Sequence, residues 1–236
     1  NLNSPEYPVF PSAYTRVELG WVNPVTVGGT TSGWFELPSS ARAPGVLKVP
    51  ANRRTDREFF LAEYRPKTGY DRNIPAGGVA VYHVDYRALF ENRDTFIGCG
   101  YLMPRVALEQ ADGRYQLESN LNYGDTSDLY PRPGGNATAF HAATVPDTRN
   151  HDCRLSGFSL SGFAFAGDTA WVYALADDFR AHSPTPELIP DPLEWTEVAG
   201  DGDRFLETGE IFQPVLTLEN TGATAIGLAA TFVSDS

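Results

Sequence analysis

The amino-acid sequence predicts a mainly β fold, α+β with few short helices. Three observations lead there. Runs rich in β-branched and aromatic residues recur, as in Phe59-Phe-Leu-Ala-Glu-Tyr64 and Val79-Ala-Val-Tyr-His-Val84; such side chains suit a pleated, half-buried surface. Turn signals at Gly28-Gly29, Gly77-Gly78 and Gly134-Gly135 punctuate these runs. Helical periodicity is weak throughout.

Taken in order, Ser12 to Leu19 reads as a short helix with Ser12 as N-cap, because a hydroxyl there can accept an orphan backbone N–H. Trp34-Phe-Glu-Leu37, Phe59–Tyr64, Val79–Val84, Val106-Ala-Leu108 and Ala170-Trp-Val-Tyr-Ala174 read as strands. Ser156 to Phe165 alternates small and apolar residues, which suits half-buried strand pairing. Ile211 to Leu218 alternates as well, Asn220-Thr-Gly222 turns the chain, and Ala225 to Val233 reads as the returning strand. An isolated hairpin is marginal in water and a sandwich needs about seven strands, so this last piece is either truncated or completed by something else.

Charge and composition divide the chain. Residues 1–180 carry 17 basic and 20 acidic groups, whereas residues 181–236 carry 1 basic group, Arg204, and 10 acidic ones. Pro184 to Pro192 holds four prolines in nine residues, and proline fixes φ and removes donors. The expected organisation is a β-rich domain over 1–180, a stiff Pro-rich connector over 181–200 and a partial β module over 201–236.

The net charge of −12 argues against nucleic acid and anionic membrane as partners, since both need clustered Lys/Arg. No apolar run approaches the roughly 18 residues of a transmembrane helix, and no signal peptide opens the chain. Opening on Asn1 rather than Met, the chain reads as a mature, processed or excised segment. Lys48 and Lys67 are its only lysines; the acidic balance suits cation binding or a coding bias. The two cysteines, Cys99 and Cys153, permit one disulfide over a loop of about 55 residues, worth roughly 4 kcal/mol on the chain-entropy model; two buried thiols are the other reading.

The chemistry-bearing motifs are few. No HExxH, GxSxG, Walker loop or GxGxxG occurs. His83-Val-Asp85 puts both side chains on one strand face, either as a metal or acid–base pair or as a histidine held by a carboxylate. Asp125 and Asp128 lie three apart in a turn-rich stretch, and Asp201, Asp203, Glu207 and Glu210 crowd ten residues with two glycines. Calcium takes six to eight oxygens from a flexible loop, so both acidic clusters are calcium candidates; a solvated acidic turn is the plainer reading of each. The second cluster is no EF-hand, since Phe205 stands where a ligand belongs. Asn136-Ala-Thr138 is a glycosylation sequon. With 11 Tyr and 4 Trp, a carbohydrate-binding module is a third class, although aromatics are equally ordinary β-core residues.

Several stretches together resemble the secreted zinc metallopeptidases of the immune inhibitor A type. The carrying residues are Leu19-Gly-Trp21 with Pro24-Val25, Phe59 to Asp71, Ile74 to Asp85 ending in His-x-Asp, Leu108-Glu-Gln-Ala-Asp-Gly113, Gly124-Asp-x-x-Asp128, and Asn136-Ala-Thr138 with Phe140. Their order spans residues 16–175. In that family the HExxH helix and third zinc ligand lie upstream of the Leu-Gly-Trp segment. The resemblance therefore implies the C-terminal part of a peptidase domain without its zinc centre, extracellular and inactive alone. No catalytic residue carries over onto this chain. Zinc, which would polarise the scissile carbonyl and activate water, is expected only in the missing upstream segment, and family calcium binding extends to Asp125 and Asp128. Residues 187–236, with Asp-Gly-Asp and Asn-Thr-Gly, resemble the start of an immunoglobulin-like module.

The expected function is thus the non-catalytic portion of a secreted zinc metalloendopeptidase, with the upstream peptidase segment as partner. The alternative is an extracellular structural or filament subunit derived from such a peptidase. Its open strand edges would join neighbouring copies by C-terminal strand addition.

Overall fold

The computed structural model describes residues 8–28, 32–43, 45–51, 57–87, 96–98, 101–132, 138–176, 188–190, 194–199, 211–215 and 218–220. These fall in two units, Asn1–Ala181 and His182–Ser236. The fold is mainly β. Among the described residues, no helix is long and apolar enough to cross a membrane.

The first unit opens with helix α1 (Ala13–Glu18). Ser12 is extended and its side chain accepts from the Thr15 N–H at 3.3 Å, the capping contact expected of it. At the other end Gly20 sits at φ 69. Its N–H bonds the Val17 carbonyl at 3.0 Å, and the Trp21 N–H bonds the Arg16 carbonyl at 2.8 Å. That paired closure is a Schellman motif, so Leu19-Gly-Trp21 is the C-terminal cap of α1.

Among the described residues, nine strands then build two sheets. They are β1 (Val25–Thr26), β2 (Ser32–Pro38), β3 (Val46–Pro50), β4 (Glu58–Arg65), β5 (Gly78–Asp85), β8 (Val106–Leu108), β9 (Ala139–Phe140), β10 (Phe158–Ala166) and β11 (Thr169–Ala176). One sheet runs β1-β3-β4-β5-β8, the other β2-β11-β10-β9. A 3-10 turn (Gly69–Asn73) lies between β4 and β5, and β6 (Phe96–Gly98) pairs with β7 (Tyr101–Met103) as a separate ladder.

Every residue of β4 is buried, and all of β5 except Tyr82. The pleat sends alternate side chains to opposite faces, and both faces are covered. Phe60, Ala62, Tyr64, Val79 and Val81 pack with Leu37, Phe140, Phe158, Leu160 and Val172 of the second sheet. Phe59, Leu61 and Val84 pack with Ala13 and Tyr14 of α1. A strand covered on both faces reads as a near-continuous apolar run, which is why Phe59–Tyr64 and Val79–Val84 stand out in the sequence. Residues 156–165 supply one strand, β10, with three buried positions and then an alternating, exposed outer half.

In the second unit β12 (Leu188–Pro190) pairs with β15 (Leu218–Asn220), and β13 (Glu194–Ala199) with β14 (Ile211–Val215). Part of the span read as a connector over 181–200 is therefore strand. Pro190 stands opposite Leu218, and a two-stranded ladder leaves each strand an edge where a missing N–H is tolerated. The expected return strand Ala225–Val233 lies outside the described residues.

Candidate functional site

The central strands carry charge where both faces are buried. Glu58 and Asp85 are opposite each other in the β4–β5 register, next to the pair Phe60 and His83. His83 and Asp85 do share a face, and His151 arrives over them from the 147–155 loop. Its ring lies 4.0 Å from that of His83, centroid to centroid. Its Nδ1 stands 2.8 Å from Asp85 Oδ2; a carboxylate only accepts, so Nδ1 carries the proton. The backbone N–H of His151 donates to Glu58 Oε1.

His83 sits between two carboxylates, Nε2 at 3.0 Å from Glu58 and Nδ1 at 3.3 Å from Glu109. Burial opposes its charge, but the bonds to Glu109 and Glu58 outweigh it and hold the imidazole pKa up at about 9. For His151 burial wins and the pKa falls, despite the bond to Asp85. Asp85 is pushed upward by burial, yet the His151 and Arg87 bonds hold it well below the usual carboxylate range. Arg87 forks onto Asp85 (3.0 and 2.8 Å), reaches Glu58 at 2.6 Å, and grips both oxygens of Asp152 at 2.8 Å.

Glu58, His83 and His151 offer ligand atoms within 4.8 Å of one another. They do not fit zinc. Glu58 already accepts from His83, His151 and Arg87, and a guanidinium on the same carboxylate opposes a cation. The network is closed by its own charges and bolts the 147–155 loop onto the sheet.

On the opposite face Glu63 takes the Ala13 N–H at 2.9 Å, the Tyr82 hydroxyl at 2.9 Å and the Arg16 guanidinium. Arg65 forks onto Asp71 (3.2 and 2.7 Å) and bonds the Phe10 carbonyl at 2.7 Å. Residues 10–16 are thereby fixed to β4. Arg16 is 2% exposed, and its Nε and Nη1 have no hydrogen-bond partner among the described residues.

The third cluster is acidic. Glu109 N–H bonds the Val81 carbonyl at 2.8 Å, Ala111 N–H bonds the Asp128 carbonyl at 3.0 Å, and Tyr130 and Val79 exchange bonds of 2.8 and 2.9 Å. Two segments distant in sequence thus run together beside β5, bringing Asp112 to Asp125 and Asp128, with ligand atoms within 4.8 Å. Asp128 carries a carboxyl pKa pushed up to about 6, first by burial and then by Asp125 and Asp112.

Of the residues singled out from sequence, His83 joins Asp85, and Asp125 joins Asp128. Asp201, Asp203, Glu207, Glu210, Asn136 and Cys99 lie outside the described residues. Cys153 is described, at φ 67, and is not free. Sequence reasoning missed Glu58, Arg87, Glu109, His151 and Asp152 as site residues, although Glu109 lies within the Leu108–Gly113 stretch and Arg87 follows His83-Val-Asp85. Asp112 had a visible signal in the Asp112-Gly113 turn, unread as part of the acidic site. Comparisons of the chain with protein-family models, with curated proteins and with solved structures found no match in any of the three.

Proposed function

We propose that this chain is the non-catalytic portion of a secreted zinc metalloendopeptidase of the immune inhibitor A type, inactive without an upstream segment that supplies zinc, its ligands and the general base. The observation that carries the reading is Arg16. It is buried beside Glu63, and two of its guanidinium nitrogens have no acceptor among the described residues. An unsatisfied buried donor costs about 1–3 kcal/mol, and a further polar segment packed beside α1 would supply the acceptors. The stretches that carry the resemblance also meet in one unit: the cap of α1, β4, β5, and the 108–113 and 124–128 segments. A Cys99–Cys153 disulfide belongs to the same extracellular reading; its check is the intact mass before and after reduction.

The test is the intact mass and terminal sequence of the polypeptide from its native source, with zinc content and casein cleavage. Extension upstream through an HExxH, with about one zinc per chain and chelator-sensitive cleavage, supports the proposal. A zinc-free, inactive native chain running from Asn1 to Ser236 overturns it. The second reading is an extracellular subunit joined to neighbouring copies by strand addition. Its support is the pair of two-stranded ladders in the second unit, each marginal alone. Concentration-dependent sedimentation of the native chain tests it; a monomer at all concentrations rules it out.

A further inference from the structure

We propose that His151 makes the 147–155 loop an acid-released latch: a proton taken up by its imidazole in mildly acid solution frees the loop from the ends of β4 and β5 while both sheets stay folded. The inference rests on geometry in this chain and is independent of the peptidase reading. Three contacts seat the loop. The His151 N–H donates to Glu58 Oε1, its Nδ1–H donates to Asp85 Oδ2 at 2.8 Å, and Arg87 grips both oxygens of Asp152 at 2.8 Å. Two of the three pass through His151.

The loop is built to move as one piece. Asn150 Oδ1 accepts from the Asp152 N–H at 3.1 Å and from the Arg154 N–H at 2.8 Å. The Asn150 N–H bonds the Arg154 carbonyl at 2.9 Å, and the Cys153 N–H bonds the Asn150 carbonyl at 3.0 Å. These bonds lie inside the loop and survive its departure. The apolar cluster between the sheets and the one under α1 draw on none of residues 147–155, so the loop can lift while both stay packed.

The surroundings of His151 disfavour a second cation. His83 Nε2 stands 3.0 Å from Glu58 and its Nδ1 3.3 Å from Glu109. A carboxylate only accepts, so both ring nitrogens of His83 carry protons and the ring is an imidazolium. The His151 ring lies 4.0 Å from it, centroid to centroid, and His151 is 2% exposed. A proton added in place sets two imidazoliums ring to ring in a buried site, which burial and like charge both oppose. Asp85 and Glu58 favour that proton, but Arg87 already engages both. Burial is the largest cause, and the balance holds the His151 pKa below its ordinary value. The loop itself adds Asp147, paired with Arg149 at 3.6 Å, and Asp152. Burial raises the Asp147 carboxyl pKa, so that group pulls toward the closed loop in acid. Released into solvent, His151 takes its proton at about 6.5. A group whose folded pKa is lowered contributes stability above its free value and loses it as pH falls. Opening therefore gains as much as about tenfold per pH unit below 6.5.

The test is amide hydrogen exchange of the full chain, read by mass spectrometry at about pH 7.5 and about pH 5.5 and corrected for the pH dependence of exchange itself. Protection over 147–155 should fall about tenfold at the lower pH. Strands β4 and β5 should keep theirs, because His83, whose pKa is raised, strengthens the sheet over the same interval. His151→Asn keeps a donor toward Asp85 and has no proton to gain, so its loop protection, whatever its level, should be the same at both pH values. Equal protection of the parent loop at the two pH values overturns the latch. So does a pH-dependent loss that persists in His151→Asn, which assigns the proton to another group. A parallel loss across β4 and β5 overturns it as well, since the event is then global unfolding.

Discussion

His151 Nδ1 and Asp85 Oδ2 stand 2.8 Å apart across 66 residues of chain. The contact fastens a loop with little regular structure to the end of the most buried strand pair. It works because Asp85 accepts from Arg87 as well, so the carboxylate is ionised and satisfied inside the protein.

Asp85→Ala should destabilise the chain by about 1–3 kcal/mol, because it leaves the buried His151 Nδ1–H without its acceptor, while Arg87 keeps Glu58 and Asp152. Asp85→Asn, which keeps one acceptor, should cost less. Urea unfolding of both variants is the measurement; a cost near zero for alanine would mean that the network is solvated.

Stability should fall as pH rises from about 6.5 to about 9. His83 is charged in the folded state and its pKa is raised, so its contribution is complete below 6.5 and disappears as pH passes through the folded value. The loss is on the order of 3 kcal/mol at most. His151 acts in the other direction: its pKa is lowered, so its contribution is present above the unfolded value and declines in acid. Urea midpoints across this range should decline on the alkaline side in the parent, and His83→Gln should flatten that limb. An unchanged alkaline slope in His83→Gln would show that another group titrates there.

Glu63 and Arg16 are unequal partners. Glu63 accepts from Ala13, Tyr82 and Arg16, so Glu63→Ala should cost about 3–5 kcal/mol by leaving a buried cation and donors unpaired. Arg16→Met removes two donors that lack acceptors among the described residues and keeps the apolar stem, so it should cost clearly less. Equal costs in thermal or urea unfolding would contradict this asymmetry.

Gly162 sits at φ 63 within the β10 bulge, and an added Cβ would come within 2.7 Å of the Trp34 indole. Gly162→Ala should therefore destabilise by about 1–3 kcal/mol and displace Trp34, which packs edge-on against Tyr173 at 5.6 Å. The expected readout is a shifted tryptophan emission together with a lower Tm.

The sequence by itself determined the mainly β class, the helix from Ser12 with its cap, and the central strands. Those signals are local: a hydroxyl that accepts an orphan N–H, runs of β-branched and aromatic residues, and the glycine turns between them. It also put His83 and Asp85 on one face, because alternation in a strand has period two. Only the tertiary structure decided which groups answer them. Glu58 meets Asp85 through strand register, His151 arrives from a distant loop, and Asp112 joins Asp125 and Asp128 because two segments run together beside β5. Partners across long separations are set by packing and register, and neither leaves a mark in the spacing of nearby residues.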